Sequence, residues 1–321
     1  EIPYELRHEA WAVLSSLTED PEPTPEYEAQ YGSPDMDPVT LSINTVRGEA
    51  MHGAIKYALW VRRHEESSEC GGTDHPLSES MPEVRDILDK HLDPAFDPSA
   101  AVRSVYGQYF PWLVLLDPKW TSDHIQAVFP SHPSLRHLWD AAWDAYVVFC
   151  RAYDSALELL ETEYARAIDG LESGAKSDSL LGNPDRHLAE HLMVFYWRGK
   201  LEIGIPSGLA NRFFDTASSS LRAFALESVG RSLYGTPDEV PAWIVERLMG
   251  LWVWRCETSK SGATPDYREM AAFGWWFASA KLDDEWSLTQ LKQVLAITSD
   301  VEADHLVAKR LAELAHTHPL D

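Results

Sequence analysis

Two carboxylates and two indoles in this chain have the types and spacing of a carbohydrate-cleaving site. Asp140 and Asp144 lie four residues apart, each directly after a tryptophan, Trp139 or Trp143. Residues four apart share one helix face, so such acids can serve proton transfer while indoles stack on sugar rings. The alternative function is therefore a helical-barrel carbohydrate hydrolase that uses Asp140 or Asp144 with a distant acid. A solvated acidic face beside a buried aromatic stripe has the same spacing, and we favour that interpretation.

Two further polar groups have some features of metal sites. His187 and His191 lie four apart with Glu190 between them, but a zinc-binding helix places its glutamate directly after the first histidine. No third ligand is indicated by spacing. The acidic run 283–285 precedes Trp286 and is better explained as a helix start, where carboxylates are stabilised by the helix dipole. We assign no catalytic, cofactor-binding or metal-binding residue and expect no cofactor.

The cysteines and glycines give no catalytic signature. Cys70, Cys150 and Cys256 are far apart and lack CxxC spacing, which favours free thiols in a reducing cytoplasm. We expect Cys150 and Cys256 to be small buried residues of apolar helices and Cys70 to lie in a polar loop. The sequence contains no nucleophile elbow, no phosphate-binding P-loop and no dinucleotide-binding glycine motif. An enzymatic activity is left open, but nothing in the sequence favours one.

The charge of the chain restricts its partners. It contains 51 acidic and 27 basic residues, a net charge of −24 with neutral histidines. Such a chain repels phosphate backbones, and its densest basic stretch, 56–64, is followed directly by Glu65 and Glu66, so we expect no nucleic-acid partner. No apolar run approaches the roughly 20 residues of a membrane-spanning helix, and we expect no membrane association.

Apolar residues recur at steps of three and four along most of the chain, which predicts helices. Residues 4–18 form an amphipathic pattern with Trp11, Leu14 and Leu17 on its buried side. Residues 44–66 carry two apolar stripes, as an inner helix would. Further helices are predicted over 83–92, 98–116 with an interruption at Pro111, 134–171 as one very long helix or two joined end to end, 185–203, 207–233, 238–256, 265–281, 284–297 and 301–316. Along 134–171 one continuous stripe would contain Trp139, Trp143, Tyr146, Phe149, Tyr153 and Leu157.

An aromatic helical pattern recurs three times in the second half, at 190–197, 246–254 and 269–277, each copy starting at a glutamate. The Lys-Leu-acid ending at 200–202 returns at 281–283, close to the length of two HEAT-type repeats of about 40–47 residues each. We therefore predict an all-α fold, an irregular α-solenoid of antiparallel helical hairpins similar to HEAT or armadillo proteins.

Four segments are predicted from composition and periodicity. Residues 1–40 contain an N-terminal helix and an acidic, proline-rich loop, and 41–172 form a helical subdomain. A Gly/Ser/Asp linker over 173–184 precedes HEAT-like helical repeats over 185–321. Because the chain begins at Glu1 without a methionine, we expect a processed chain or a part of a longer one.

Three stretches resemble a known class of proteins. They are Ser42-Ile-Asn-Thr-Val-Arg-Gly-Glu-Ala-Met-His52, Tyr109-Phe-Pro-Trp-Leu-Val-Leu-Leu-Asp-Pro118 and Phe273-Gly-Trp-Trp-Phe-Ala-Ser-Ala-Lys-Leu-Asp-Asp-Glu-Trp286. From about residue 40 onward the chain resembles the α-helical C-terminal region of large bacterial multidomain proteins. In those proteins the region follows an effector or P-loop NTPase module, and several are suspected to act in anti-phage defence. The resemblance implies a sensing or scaffolding part and assigns no catalytic residue.

The expected function is a non-catalytic scaffold or sensor module that binds a protein partner or the neighbouring domains of its own chain. A hydrolase would need a deep pocket in which two carboxylates converge within about 10 Å. A scaffold would instead bury its tryptophans between helices, and the five to test are Trp197, Trp252, Trp254, Trp275 and Trp276.

Overall fold

A computed structural model describes residues 2–32, 36–67, 77–171, 182–261 and 266–317. Within these ranges the regular elements are helices and none is a β-strand, which confirms the all-α prediction. The linker predicted over 173–184 falls mostly outside the described residues, and Cys70 with its loop also lies outside them. The described residues divide into two compact units, 2–163 with 182–184, and 164–171 with 185–317.

The first unit contains helices of 4 to 22 residues, together with the first part of α12. Its helices are α1 (Arg7–Thr18), α2 (Pro25–Tyr31), α3 (Pro38–Ile43), α4 (Val46–Ser67), α5 (Leu77–Ser80), α6 (Pro82–Leu92), α7 (Ala100–Gln108), α8 (Phe110–Leu116), α9 (Pro118–Asp123), α10 (Ile125–Val128), α11 (Arg136–Phe149) and α12 (Asp154–Gly170). One turn of 3-10 helix, Tyr4–Leu6, leads into α1, and another, Pro133–Leu135, leads into α11. The main packing contacts join α1 to α4, α3 to α7, and α7 to α11.

The second unit begins within α12. It continues with α13 (Pro184–Trp197), α14 (Leu209–Thr216), α15 (Ser219–Gly235), α16 (Ala242–Ser261), α17 (Tyr267–Ala271), α18 (Phe273–Ala278), α19 (Asp284–Ile297) and α20 (Asp304–Thr317). Here α15 packs against α17 and α18, and α18 also contacts α19 and α20.

Helix boundaries follow local chemistry where the sequence carries a clear signal. The helices predicted over 83–92 and 284–297 match α6 and α19 to within one residue. Pro111 interrupts its predicted helix as expected, because proline has no N–H to donate and is accommodated in the first turn of α8. The helix predicted over 207–233 is two helices, because Ser218 accepts a hydrogen bond from the Leu221 N–H and caps α15.

The continuous stripe predicted along 134–171 is wrong. Helix α11 ends at Phe149, Cys150 is extended, and the chain re-enters a helix only at Asp154. The ring of Phe149 and that of Tyr153 are both exposed, whereas the earlier members of the stripe are buried. The alternative of two helices over this region is confirmed. Periodicity alone could not choose between the alternatives, because the residues between the helices keep the apolar spacing of one helix.

The five tryptophans chosen for the test lie between helices of the second unit, whereas Trp243 of the same unit is exposed. Trp252 and Trp276 are fully buried, and the Trp276 indole N–H donates to the carbonyl oxygen of Leu226 at 2.7 Å. The other three, Trp197, Trp254 and Trp275, are half-buried, so none of the five is exposed. These indoles therefore contribute mainly to helix packing.

The three copies of the aromatic pattern occupy different environments. Glu190 is half-buried and pairs with His187, Glu246 is exposed, and Glu269 is fully buried. The third copy is also divided between α17 and α18 at Ala272. Similar sequence here does not correspond to equivalent positions in space.

A buried ion-pair network holds α15, α16 and α17 together. The Glu269 carboxylate is bound by the guanidinium of Arg255, with an Nη2–Oε2 distance of 2.9 Å, and by the Nε of Arg222. Arg222 also binds Asp266 at 2.7 Å, and Asp266 accepts a hydrogen bond from the Ser219 hydroxyl at 2.8 Å. Burial raises the pKa of Asp266, but the hydrogen bonds from Ser219 and Arg222 outweigh that effect and lower it.

Removal of the buried charge at Glu269 should destabilise the protein. In Glu269→Gln two arginines would lose their common carboxylate in a site shielded from water, and we expect the free energy of unfolding to fall by about 3 kcal/mol. The control Glu246→Gln changes an exposed residue and should alter it by no more than about 0.5 kcal/mol. Urea unfolding of both variants measures the difference, and equal stabilities would contradict a structural role for the network.

The close approach of α15 and α18 gives a second prediction. A Cβ added at Gly230 would lie 2.7 Å from the Cβ of Trp275 and 3.0 Å from the Trp276 backbone nitrogen. We therefore expect Gly230→Ala to lower the free energy of unfolding by about 1–3 kcal/mol. Gly250 is also in a helix but has no atom within 4 Å of an added Cβ, so Gly250→Ala should be neutral or stabilising by about 0.5–1 kcal/mol. Thermal unfolding of the matched pair tests this, and a Gly230→Ala protein as stable as Gly250→Ala would refute the close packing.

Candidate functional site

Asp140 and Asp144 lie on the partly solvated side of α11. Arg136 donates its Nε–H to both carboxylate oxygens of Asp140, each 3.1 Å away. The neighbouring indoles of Trp139 and Trp143 are buried and stack on each other, with ring centres 5.6 Å apart. They present no open aromatic face to a sugar ring. This is the geometry of an acidic surface beside a buried aromatic stripe.

The two histidines of α13 have separate partners. His187 is paired with Glu190, with an Nδ1–Oε2 distance of 3.2 Å, whereas the buried His191 forms a 2.7 Å hydrogen bond with the Tyr164 hydroxyl. Across the described ranges, no three His, Cys, Asp or Glu side chains are grouped so that they could hold a metal ion.

The acidic run 283–285 begins helix α19. The Asp283 carboxylate accepts a hydrogen bond from the Trp286 N–H at 2.8 Å, and Asp284 is bound by Arg310 at 2.7 Å. These contacts are those of a helix N-terminus.

The prediction for the cysteines is confirmed for Cys256 and wrong for Cys150, which is only partly buried and is the extended residue that follows α11. Burial raises the pKa of the Cys150 thiol to about 12, so the reactive thiolate does not form near neutral pH. Its Sγ donates towards the Gln108 carbonyl oxygen at 3.3 Å. Cys256 is buried beside Met270, as expected for a small residue of a helical core.

A buried Ser–His pair was not predicted, because Ser42 and His52 are ten residues apart and lie on different helices. The Ser42 Oγ is 2.8 Å from Nε2 of His52 and 2.7 Å from the Val39 carbonyl oxygen. A hydroxyl has one proton, which it donates to the carbonyl, so Nε2 carries a proton and donates to Ser42. His52 therefore cannot act as a base on Ser42, and both side chains are buried.

One cavity of the second unit lies between α13 and α15 and has a volume of about 340 Å³. Its apolar wall includes Trp197 and Phe224. Its carboxylates are already paired, Glu190 with His187 and Glu227 with Arg231, the latter at 2.5 Å.

Helix α1 is held by one of its faces. The rings of Trp11 and Tyr57 of α4 have centres 5.1 Å apart, and Tyr4 stacks on His64 with ring centres 3.7 Å apart. Residues 4 and 11 are seven apart and so lie on the same side of a helix. This inner face attaches α1 to the first unit.

A neighbouring side of α1 is also apolar and is largely exposed. It carries Ala10, Val13 and Leu17 and is continued by Leu6 in the 3-10 turn before the helix; these four residues, which we call the outer stripe, follow one another at steps of four, three and four. Leu6 is 46% exposed, Val13 61% and Leu17 41%. The prediction that Leu17 belongs to the buried side is wrong, because α4 covers only the side that carries Trp11. The signal that could have revealed the stripe is its spacing, which is that of the a and d positions of a coiled coil.

Two carboxylates border the outer stripe on one flank. Glu5 and Glu9 are four residues apart and exposed, and neither has a hydrogen-bond or ion-pair partner within the described part of the chain. On the other flank Arg7 lies over the ring of Tyr4, with its guanidinium 4.8 Å from the ring centre. An apolar seam with an acidic border can accept a helix from another chain or domain.

Comparisons of the chain with protein-family models, with curated proteins and with solved structures find no match. None of the helices in the described ranges is long and apolar enough to cross a membrane. The function must therefore be inferred from the surface of the chain itself.

The buried histidine predicts a pH dependence of stability. Burial, with a smaller contribution from the charge of Lys56, lowers the pKa of His52 from 6.5 to about 4. Between these values the unfolded state binds more protons than the folded state, so stability rises with pH through this window. Acidification through it should cost about 3 kcal/mol.

In His52→Gln the amide can still donate to Ser42 but does not titrate, so this part of the acid sensitivity should disappear. Urea unfolding of the two proteins across the window gives the two slopes. Parallel slopes would show that His52 is not the responsible group.

Proposed function

We propose that the chain is a non-catalytic helical scaffold or sensor module that binds a protein partner, or neighbouring domains of a larger bacterial protein, through the outer stripe of α1. The observation that carries this proposal is the alignment of exposed Val13 and Leu17 on one face of α1, continued by exposed Leu6 in the 3-10 turn before it. Single exposed leucines are common on soluble proteins and need no explanation. Apolar residues aligned at coiled-coil spacing are typical of an interaction surface.

The contacts made by the polar side chains support a non-catalytic role. Among the described residues, each group that the sequence suggests for chemistry is engaged in a structural contact: Asp140 with Arg136, His191 with Tyr164, and Asp283 with the start of α19. The cysteine pattern favours the cytoplasm. The resemblance to C-terminal regions of bacterial multidomain proteins suggests that the chain is the sensing part of such a protein. It also suggests a role in anti-phage defence. The architecture that we propose for it is an irregular HEAT-like solenoid.

A matched pair of variants of α1 tests this function. Val13→Gln removes the most exposed side chain of the outer stripe, whereas Ala12→Gln places the same side chain on the neighbouring exposed position off the stripe. Crosslinking in cells followed by mass spectrometry should join a partner segment to α1 in the parent protein and in Ala12→Gln. In Val13→Gln we expect at least about a tenfold loss of these crosslinks, because a buried apolar anchor is lost.

Crosslinks to α1 that are unchanged in Val13→Gln would refute the proposed function. Release of reducing sugar from a polysaccharide, lost in Asp140→Asn or Asp144→Asn, would instead establish the hydrolase.

A further inference from the structure

We infer that the occupant of the outer stripe is an amphipathic helix of a partner, with lysine or arginine along the edge that faces Glu5 and Glu9. This inference rests on the proposed function and specifies the partner's chemistry. It combines three observations on the first unit: the spacing of the stripe, the small residue at its centre, and the unpaired carboxylates on one flank.

The spacing of the outer stripe indicates that a helix covers it. Leu6, Ala10, Val13 and Leu17 occupy successive d, a, d and a positions, so a facing helix can insert its own apolar side chains between them. Ala10 leaves room near the centre, which allows two helix axes to approach to about 8–10 Å. An extended peptide would need unpaired backbone groups at an exposed sheet edge, and the described residues contain no strand that could offer them.

The glutamates beside the outer stripe favour a partner helix that carries positive charge. Glu9 lies at an edge position of the seam, where an edge residue of a facing helix would approach it, and Glu5 lies one turn before it on the same flank. Their carboxylates have no ion-pair partner in the described part of the chain, so they are available to a cation. The overall charge of −24 also speeds the approach of a basic segment.

A second copy of this chain fits the surface poorly. Within α1 the sole lysine or arginine is Arg7, whose guanidinium lies over Tyr4 on the flank away from Glu9. A facing α1 would thus bring two more glutamates to the pair and no free cation for Glu5 or Glu9. Like charges along a helix pair oppose association.

Synthetic helical peptides provide the test on the intact chain. Three peptides have leucine at all a and d positions and differ only at the edge positions e and g, which are all lysine, all glutamine or all glutamate. A fourth peptide has the composition of the lysine peptide in scrambled order, so that it has no leucine seam. Affinities are measured by fluorescence anisotropy at low and high salt, and light scattering of the chain alone reports self-association.

We expect the lysine peptide to bind about tenfold more tightly than the glutamate peptide, with the difference shrinking at high salt. Glu5→Gln with Glu9→Gln should remove most of this preference. Glu246→Gln with Glu257→Gln changes the net charge equally at exposed positions of α16 and should leave the preference intact. Val13→Gln should weaken the lysine peptide at least about tenfold, and Ala12→Gln by less than about twofold.

The remaining outcomes overturn the inference in distinct ways. If the three seam peptides bind equally tightly, the partner is not selected for basic residues. If the scrambled lysine peptide binds as tightly as the lysine seam peptide, the binding is non-specific charge attraction and needs no helical seam. A dimer that dissociates on Val13→Gln assigns the stripe to a second copy. If no peptide binds while cellular crosslinks still depend on Val13, the helical occupant is wrong and the proposed function stands. If peptides bind but the crosslinks do not depend on Val13, the proposed function fails.

Discussion

The candidate surface depends on the contact between α1 and α4, which attaches α1 through one face and leaves the other free. Trp11 packs on Tyr57, and Leu14 lies so close to Gly53 that an added Cβ would come within 2.7 Å of its Cδ2. The absence of a side chain at Gly53 lets the two helices approach. Because these contacts fix the rotation of α1 about its axis, they also determine that Val13 points away from α4.

Elsewhere, polar side chains that could suggest chemistry are used to hold helices in place. Glu269 joins three helices through two arginines, and the buried pair of Ser42 and His52 links α3 to α4. Buried polar groups are tolerated when their hydrogen bonds are satisfied, and they then favour one arrangement of the helices over others. Such groups look like sites in a sequence because structural and catalytic pairs use the same residue types.

The sequence predicts elements well and their environments poorly. Periodicity and proline placement predict the all-α class and boundaries such as those of α19. The position of the break after Phe149, the exposure of Leu17 and the burial of Glu269 could not be predicted, because each depends on the contacts that the position makes with neighbouring helices. The buried carboxylate shows this limit most clearly, since Glu190, Glu246 and Glu269 begin similar sequences in three different environments.

Attachment by one face couples α1 to whatever binds its other face. A helix of 12 residues is marginal in water by itself, so the order of α1 depends on Trp11 and its neighbours packing on α4. A ligand that binds only the docked helix stabilises docking by RT ln(1 + L/Kd), where L is the concentration of free ligand. By reciprocity, weakening the inner contact at Trp11 must also weaken binding at Val13, although the two side chains lie on opposite faces. The contacts of the inner face thus contribute to the affinity of the outer stripe for its partner helix, although they do not touch that helix.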